Sequence, residues 1–229
     1  MSRPFPSPRL TGICLVVASL LVQIGYLVTP WEGESTTLAY HDSLRDHELQ
    51  SQIAACFLHF GWTVWAPAAF GIVALLRPRG GWLLAIGGTL AIVGTVTLPG
   101  LLVTDFYDLA LAQSLPPEQA AEISDKASGY PLLPLLQIPA VVGAILGTML
   151  LFFALWRASV VPLWVPLLVL VGTAITFVMP LSLASFAVGG GLTMVAGIFT
   201  GVRIFKLDAP DVRQTSGPLP AEAVAPAAA

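Results

Sequence analysis

ASVVPLWVPLLVLVGTAITFVMPLSLASFAVGGGLTMVAGIFTGV, residues 158–202, runs without a charged side chain for more than twice the length of one membrane crossing. A hydrocarbon core about 30 Å thick is crossed by about 20 apolar helical residues, so the stretch must fold back on itself. Pro180, Leu181 and Ser182 mark the turn, because proline cannot continue a helix through its own position. Towards the N-terminus lie four more uncharged apolar runs, and together they predict spans at 10–28, 53–76, 82–104, 132–156, 160–179 and 182–205. These runs are continuously apolar rather than alternating and far exceed barrel-strand length, which excludes a β-barrel reading. The expected fold is an all-α membrane protein, a six-transmembrane-helix bundle in one domain.

The composition agrees. Of 229 residues 56% are hydrophobic and 10% charged, with a mean hydropathy of +0.83, whereas a soluble domain carries about 25% charged residues. The net charge of -3 lacks the basic excess of a nucleic-acid binder. The first span reads as an uncleaved helix rather than a signal peptide: its apolar run is too long for an h-region, and no small-x-small cleavage site follows Tyr26.

Basic residues beside spans are retained in the cytoplasm. Arg3, Arg9, Arg77, Arg79, Arg157, Arg203, Lys206 and Arg213 all fall on one side of the expected bundle. The other side holds only Arg45 and Lys126, among Glu32, Glu34, Asp42, Asp46, Glu48, Asp105, Asp108, Glu118, Glu122 and Asp125. Both termini are therefore expected in the cytoplasm, residues 1–9 as a short N-terminus and 206–229 as a disordered Pro- and Ala-rich tail. The outward connections, 29–52 and 105–131, are expected to be long polar loops.

Without a hydrophobic drive between helices in lipid, small residues let backbones approach. Gly143-AIL-Gly147 and Gly197-IFT-Gly201 are GxxxG motifs, and Gly87 with Gly94 and Gly81 with Gly88 each lie two turns apart. Packing inside the bundle is the favoured use. Cys14 and Cys56 lie near opposite ends of their spans, too far apart for a disulfide. A faint echo relates ALLR at 74–77 to ALWR at 154–157, and LAIVGTV at 90–96 to LVLVGTA at 168–174, a parallel hairpin duplication at most.

Ionisable groups within a span are costly and mark sites by default. His59 lies seven residues into the second span; Gln23 and Gln137 sit at comparable depth, and Asp105 and Asp108 close the third. With Trp62, these form a candidate ligand-binding set in the outer half. A structural reading stands beside it, in which His59 hydrogen-bonds Gln23, Gln137 or Asp105 to lock the bundle. The segment from His41 to Glu48 offers metal-ligand types, but His41 and His47 fall on different helix faces, so it reads as a solvated amphipathic extension of the second helix. The triplet Gly189-Gly190-Gly191 is a candidate helix break of the kind transporters use.

No HExxH, GxSxG or phosphate-binding loop occurs, no span carries a lysine for retinal, and three histidines cannot ligate paired haems. No catalytic residue, metal site or cofactor is expected. The acidic loop after Pro30, the stretch ALLRPRGGWLLAIGGTLAIVG at 74–94 and the acidic DFYDL at 105–109 resemble a broad group of uncharacterised six-span integral membrane proteins of high-GC bacteria. The resemblance implies an inner-membrane location and a six-helix bundle, and brings no activity. The residues point to a non-enzymatic plasma-membrane protein that binds a lipid, a small molecule, a membrane-protein partner or its own copy at the outer face. The alternative is a small secondary transporter coupling protons through His59 and Asp105.

Overall fold

The computed structural model describes residues 7–30, 36–77, 81–180 and 182–207. Arg3, Glu32, Glu34, Arg79, Leu181, Arg213 and nearly all of the expected tail lie outside them. Among the described residues every regular element is helical: α1 (Pro8–Val28), α2 (Thr37–Asp46), α3 (Glu48–Leu76), α4 (Gly81–Leu102), α5 (Thr104–Ser114), α6 (Pro117–Ser128), α7 (Pro134–Val142), a π-helical turn (Gly143–Gly147), α8 (Thr148–Arg157), α9 (Trp164–Val178) and α10 (Leu183–Phe205).

Five of these segments are long and apolar enough to cross a bilayer: α1, α3, α4 with α5, α7 through α8, and α10. The fifth expected span, 160–179, is helical only over α9, a shorter apolar helix. Pro162 precedes its start, Pro166 lies in its first turn and Pro180 follows its end, so its helical length is only about 22 Å.

Glycine contacts fix the directions. A Cβ on Gly12 would stand 2.8 Å from Phe205 N, and one on Gly190 2.8 Å from the Tyr26 ring, so α1 and α10 run antiparallel. Gly61 against Val22 and Gly71 against Thr11 set α3 antiparallel to α1; Gly88 against Val73 returns α4, and Gly87 against Leu150 reverses the fourth span. Gly172 against Gly189 and Gly189 against Thr176 turn α9 back along α10. Residues 7 and 207 therefore lie at one end, the terminal end. α2, α5 and α6 gather at the other, the cap end.

Both GxxxG motifs face inward. A Cβ on Gly143 would stand 2.6 Å from Leu90 O, and one on Gly201 2.7 Å from Gly12 O. The core between them is formed by Leu15, Ile72, Leu151, Phe152, Leu155 and Ile204, all essentially inaccessible. The glycine triplet does not break α10, which runs unbroken through it. Gly189 and Gly190 admit α9 and α1, while Gly191 faces open space. Cys14 and Cys56 are both free thiols.

The expected polar loops are mostly helix. α4 and α5 together cover 34 residues, about 51 Å at 1.5 Å per residue, against about 30 Å of hydrocarbon. The chain breaks at Val103, and α5, with Asp105 and Asp108, projects beyond the crossing. α2 is a separate helix capped by the Thr36 side chain, rather than an extension of α3.

Candidate functional site

The predicted constellation does not assemble in one place. His59, half-buried on α3, places Nδ1 2.9 Å from the Pro99 carbonyl. A carbonyl only accepts, so Nδ1 carries the hydrogen. The bond ties α3 to the end of α4, which supports a locking role, though through a backbone carbonyl rather than Gln23, Gln137 or Asp105. Gln23 is buried at 6% exposure against the glycine triplet; its Nε2 donates to Ala187 O at 3.4 Å, and its Oε1 has no partner among the described residues.

Asp105 and Asp108 belong to the cap. The Tyr40 hydroxyl donates to Asp105 at 3.3 Å. Burial pushes the Asp105 carboxyl from its ordinary 3.8 up to about 6, the Tyr40 hydrogen bond opposing the shift and the Asp108 charge adding to it. The folded protein thus holds this proton more tightly than the unfolded chain does. Stability should be full below about pH 4 and fall as pH rises to about 6. Asp105→Asn is expected to flatten that fall and to melt higher than wild type at pH 7, as read by thermal unfolding in detergent across that range. An unchanged profile would count against a buried Asp105.

Asp108 accepts from the Ser124 hydroxyl at 2.9 Å, and Ser124 Oγ lies 2.9 Å from His41 Nε2. Because serine has one proton and gives it to the carboxylate, His41 Nε2–H donates to Ser124. This chain links α5, α6 and α2. His41 is 0% exposed, and its Nδ1 has no partner among the described residues. The expectation of a solvated His41–Glu48 segment is thus corrected: His41 and Leu44 are the buried face of α2, and only His47 and its neighbours stay exposed. Thr37, Tyr40, His41 and Leu44 recur at helical spacing, and that stripe was the available signal. Arg45 binds Asp42 at 3.1 Å and forks onto the Ala112 carbonyl near the α5 C-terminus, where a cation is favoured.

Gln137 is exposed on α7 and, with Asp108 and Ser124, borders a groove of about 610 Å³ between α5, α6 and the start of α7. Leu101, Leu111, Ile123 and Leu136 make it mainly apolar, and Tyr107 and Tyr130 stand at its edges. Trp62 does not reach it. That side chain lines a separate cavity of about 80 Å³ inside the bundle, with Ser19, Tyr26, Trp65, Thr148 and Phe177. The sequence reading missed this cavity, whose one visible sign was a set of hydroxyls in mid-span.

No family model, curated protein or solved structure matches the chain.

Proposed function

We propose that the protein is a six-span integral protein of a bacterial plasma membrane, with both termini in the cytoplasm, that binds a lipid or small amphipathic molecule at its outer face without catalysing a reaction. The groove between α5, α6 and α7 carries this reading. It joins a broad apolar lining to a carboxylate, a hydroxyl and an amide at the level where α4 and α7 leave the crossing, the mixture an amphipathic ligand needs.

The orientation rests on charge. Arg9, Arg77, Arg157, Arg203 and Lys206 lie at the terminal end, while Arg45 and Lys126 are the cap's cations among the described residues. α9 supplies the remaining crossing, the fifth in chain order, together with the residues of the turns that flank it, and its antiparallel seam with α10 supports that path. The likeness to six-span proteins of high-GC bacteria supports the location.

Native mass spectrometry of the full chain in mild detergent tests the reading. Wild type is expected to retain a lipid-sized adduct that Ala127→Trp, which fills the groove, and Asp108→Asn both lose. His59→Ala, away from the groove, is expected to keep it. Equal adducts in wild type and Ala127→Trp, or none in wild type, would remove the groove as a ligand site.

A further inference from the structure

The cavity inside the bundle has a different character from the groove. α9 and the fourth span leave a shared turn at residues 158–163 on the terminal end, and their packing on each other is confined to α8. Towards the cap they diverge, with Thr148 and Phe152 on one wall, Thr173 and Phe177 on the other, and Trp62 and Trp65 behind. Thr148 lies 14 residues from the start of this span and 9 from its end, about 21 Å and 14 Å. Thr148 therefore sits near the middle of the fourth span, and the diverging walls leave the cleft partly open between them.

Its lining defines what fits. Among the described residues no carboxylate, ammonium, guanidinium or imidazole contributes to it, and a charged ligand at this depth would go unpaired. The hydroxyl protons of Ser19, Thr176 and Thr193 are already given to the carbonyls of Leu15, Gly172 and Gly190 at 2.7, 3.0 and 2.8 Å. Thr148 and Thr173 also line the cleft, and of these two Thr148 has a fully buried hydroxyl, with no partner among the described residues. It directly follows the π-helical turn, a rare distortion that recurs at functional sites. An unmet donor in hydrocarbon calls for an acceptor oxygen.

Aromatic rings from Tyr26, Trp62, Trp65, Phe152 and Phe177 form the walls, and Trp65 meets Phe152 edge-on at 6.2 Å. Such faces and edges favour a flat ring between them. A volume of about 80 Å³, at 10–15 Å³ per water-sized atom group, holds about five to eight non-hydrogen atoms, one substituted ring. We propose that this cleft binds the head of an uncharged, flat, lipid-soluble carbonyl compound, a quinone-type ring on an apolar tail, entering sideways from the bilayer and accepting a hydrogen bond from Thr148.

Trp62 and Trp65 report on occupancy directly, since quinones quench indole fluorescence on contact. With Trp31, Trp82, Trp156 and Trp164 replaced by phenylalanine, the full chain in phosphatidylcholine nanodiscs is titrated with decyl-benzoquinone. Saturable quenching is expected, at least fivefold weaker in Thr148→Val, which keeps the cleft's shape and removes only the donor. Non-saturable quenching equal in both proteins would reduce the effect to partitioning and overturn the proposal. So would strong quenching by brominated acyl chains in quinone-free nanodiscs that added quinone fails to displace, which would assign the cleft to ordinary lipid.

Discussion

Gly94→Leu is expected to prevent the bundle from closing, giving aggregated or early-melting protein where Gly100→Leu gives neither. At Gly94 a Cβ would stand 2.6 Å from Ala144 Cα and meet the Gly143 carbonyl carbon as well. The obstacle is backbone, so no rotamer change relieves it. The seam is reciprocal: a Cβ on Gly143 would lie 2.9 Å from Gly94 Cα, and one on Gly147 2.6 Å from Ala91 Cα. Separating α4 from the fourth span loosens every contact along it, because dispersion falls steeply with distance. Overpacking in a tight core costs about 1–3 kcal/mol and more where nothing can yield, so a loss of about 3 kcal/mol or more is expected. Gly100 and Gly191 meet nothing within 4 Å, and leucine at either should shift the melting temperature by no more than a few degrees. Thermal unfolding with size-exclusion chromatography reads both effects. A Gly94→Leu protein that stays monodisperse and melts like Gly100→Leu would show that the seam is not there. A change of oligomeric state without loss of stability would instead move the motif to a dimer interface.

The same seam shows what the sequence made legible. GxxxG spacing depends only on the helical repeat and on the absence of side chains, both readable from residue order, so Gly143, Gly147, Gly197 and Gly201 were identifiable as packing positions. Long apolar runs likewise marked α1, α3, α4, the fourth span and α10, since crossing length is set by the bilayer rather than by tertiary context. The shortening of α9 was half-visible, in prolines that bracket it.

The site was harder to read, because depth along a span does not reveal the direction a side chain faces. His59, Gln23, Gln137 and Trp62 lie at related depths yet point to the Pro99 carbonyl, the glycine triplet, the exposed flank of α7 and the inner cavity. Only Asp108 and Gln137 border one space. Composition also misled the reading of the outer segments. Charged, loop-like stretches became helices because each carries a narrow apolar stripe, Tyr40–His41–Leu44 on α2, Leu109 and Ala112 on α5, Ala120 on α6, that is buried only when all three assemble. A polar segment can hide a core residue when its partners come from distant parts of the chain.

His41→Ala is accordingly expected to release the cap while leaving the membrane bundle intact. The imidazole is 0% exposed. Its removal leaves a void and takes away the Nε2–H that Ser124 accepts, at a cost of about 3 kcal/mol by analogy with other large-to-small core substitutions. Few other bonds hold α6: Thr37 to Asp125 at 2.6 Å is exposed, and the Ser124–Asp108 bond joins α6 only to α5. Hydrogen exchange should show α6 amides losing about 100-fold in protection, the equivalent of that cost, with α4 and α8 unchanged. His41→Phe separates packing from polarity. It refills the void, leaves Ser124 bonded to Asp108, and removes the unpartnered Nδ1, so it should recover more than half of the lost protection. A His41→Phe cap as open as the alanine variant would place the holding force in the hydrogen-bonded chain instead. His47→Ala, altering an exposed residue one turn and a half further on, should leave α6 protected in either case. Because Asp108 and Ser124 are shared by this chain and the groove, an open cap should also release the ligand proposed there. Adduct loss in His41→Ala with retention in His41→Phe would connect the cap's packing to binding at the outer face.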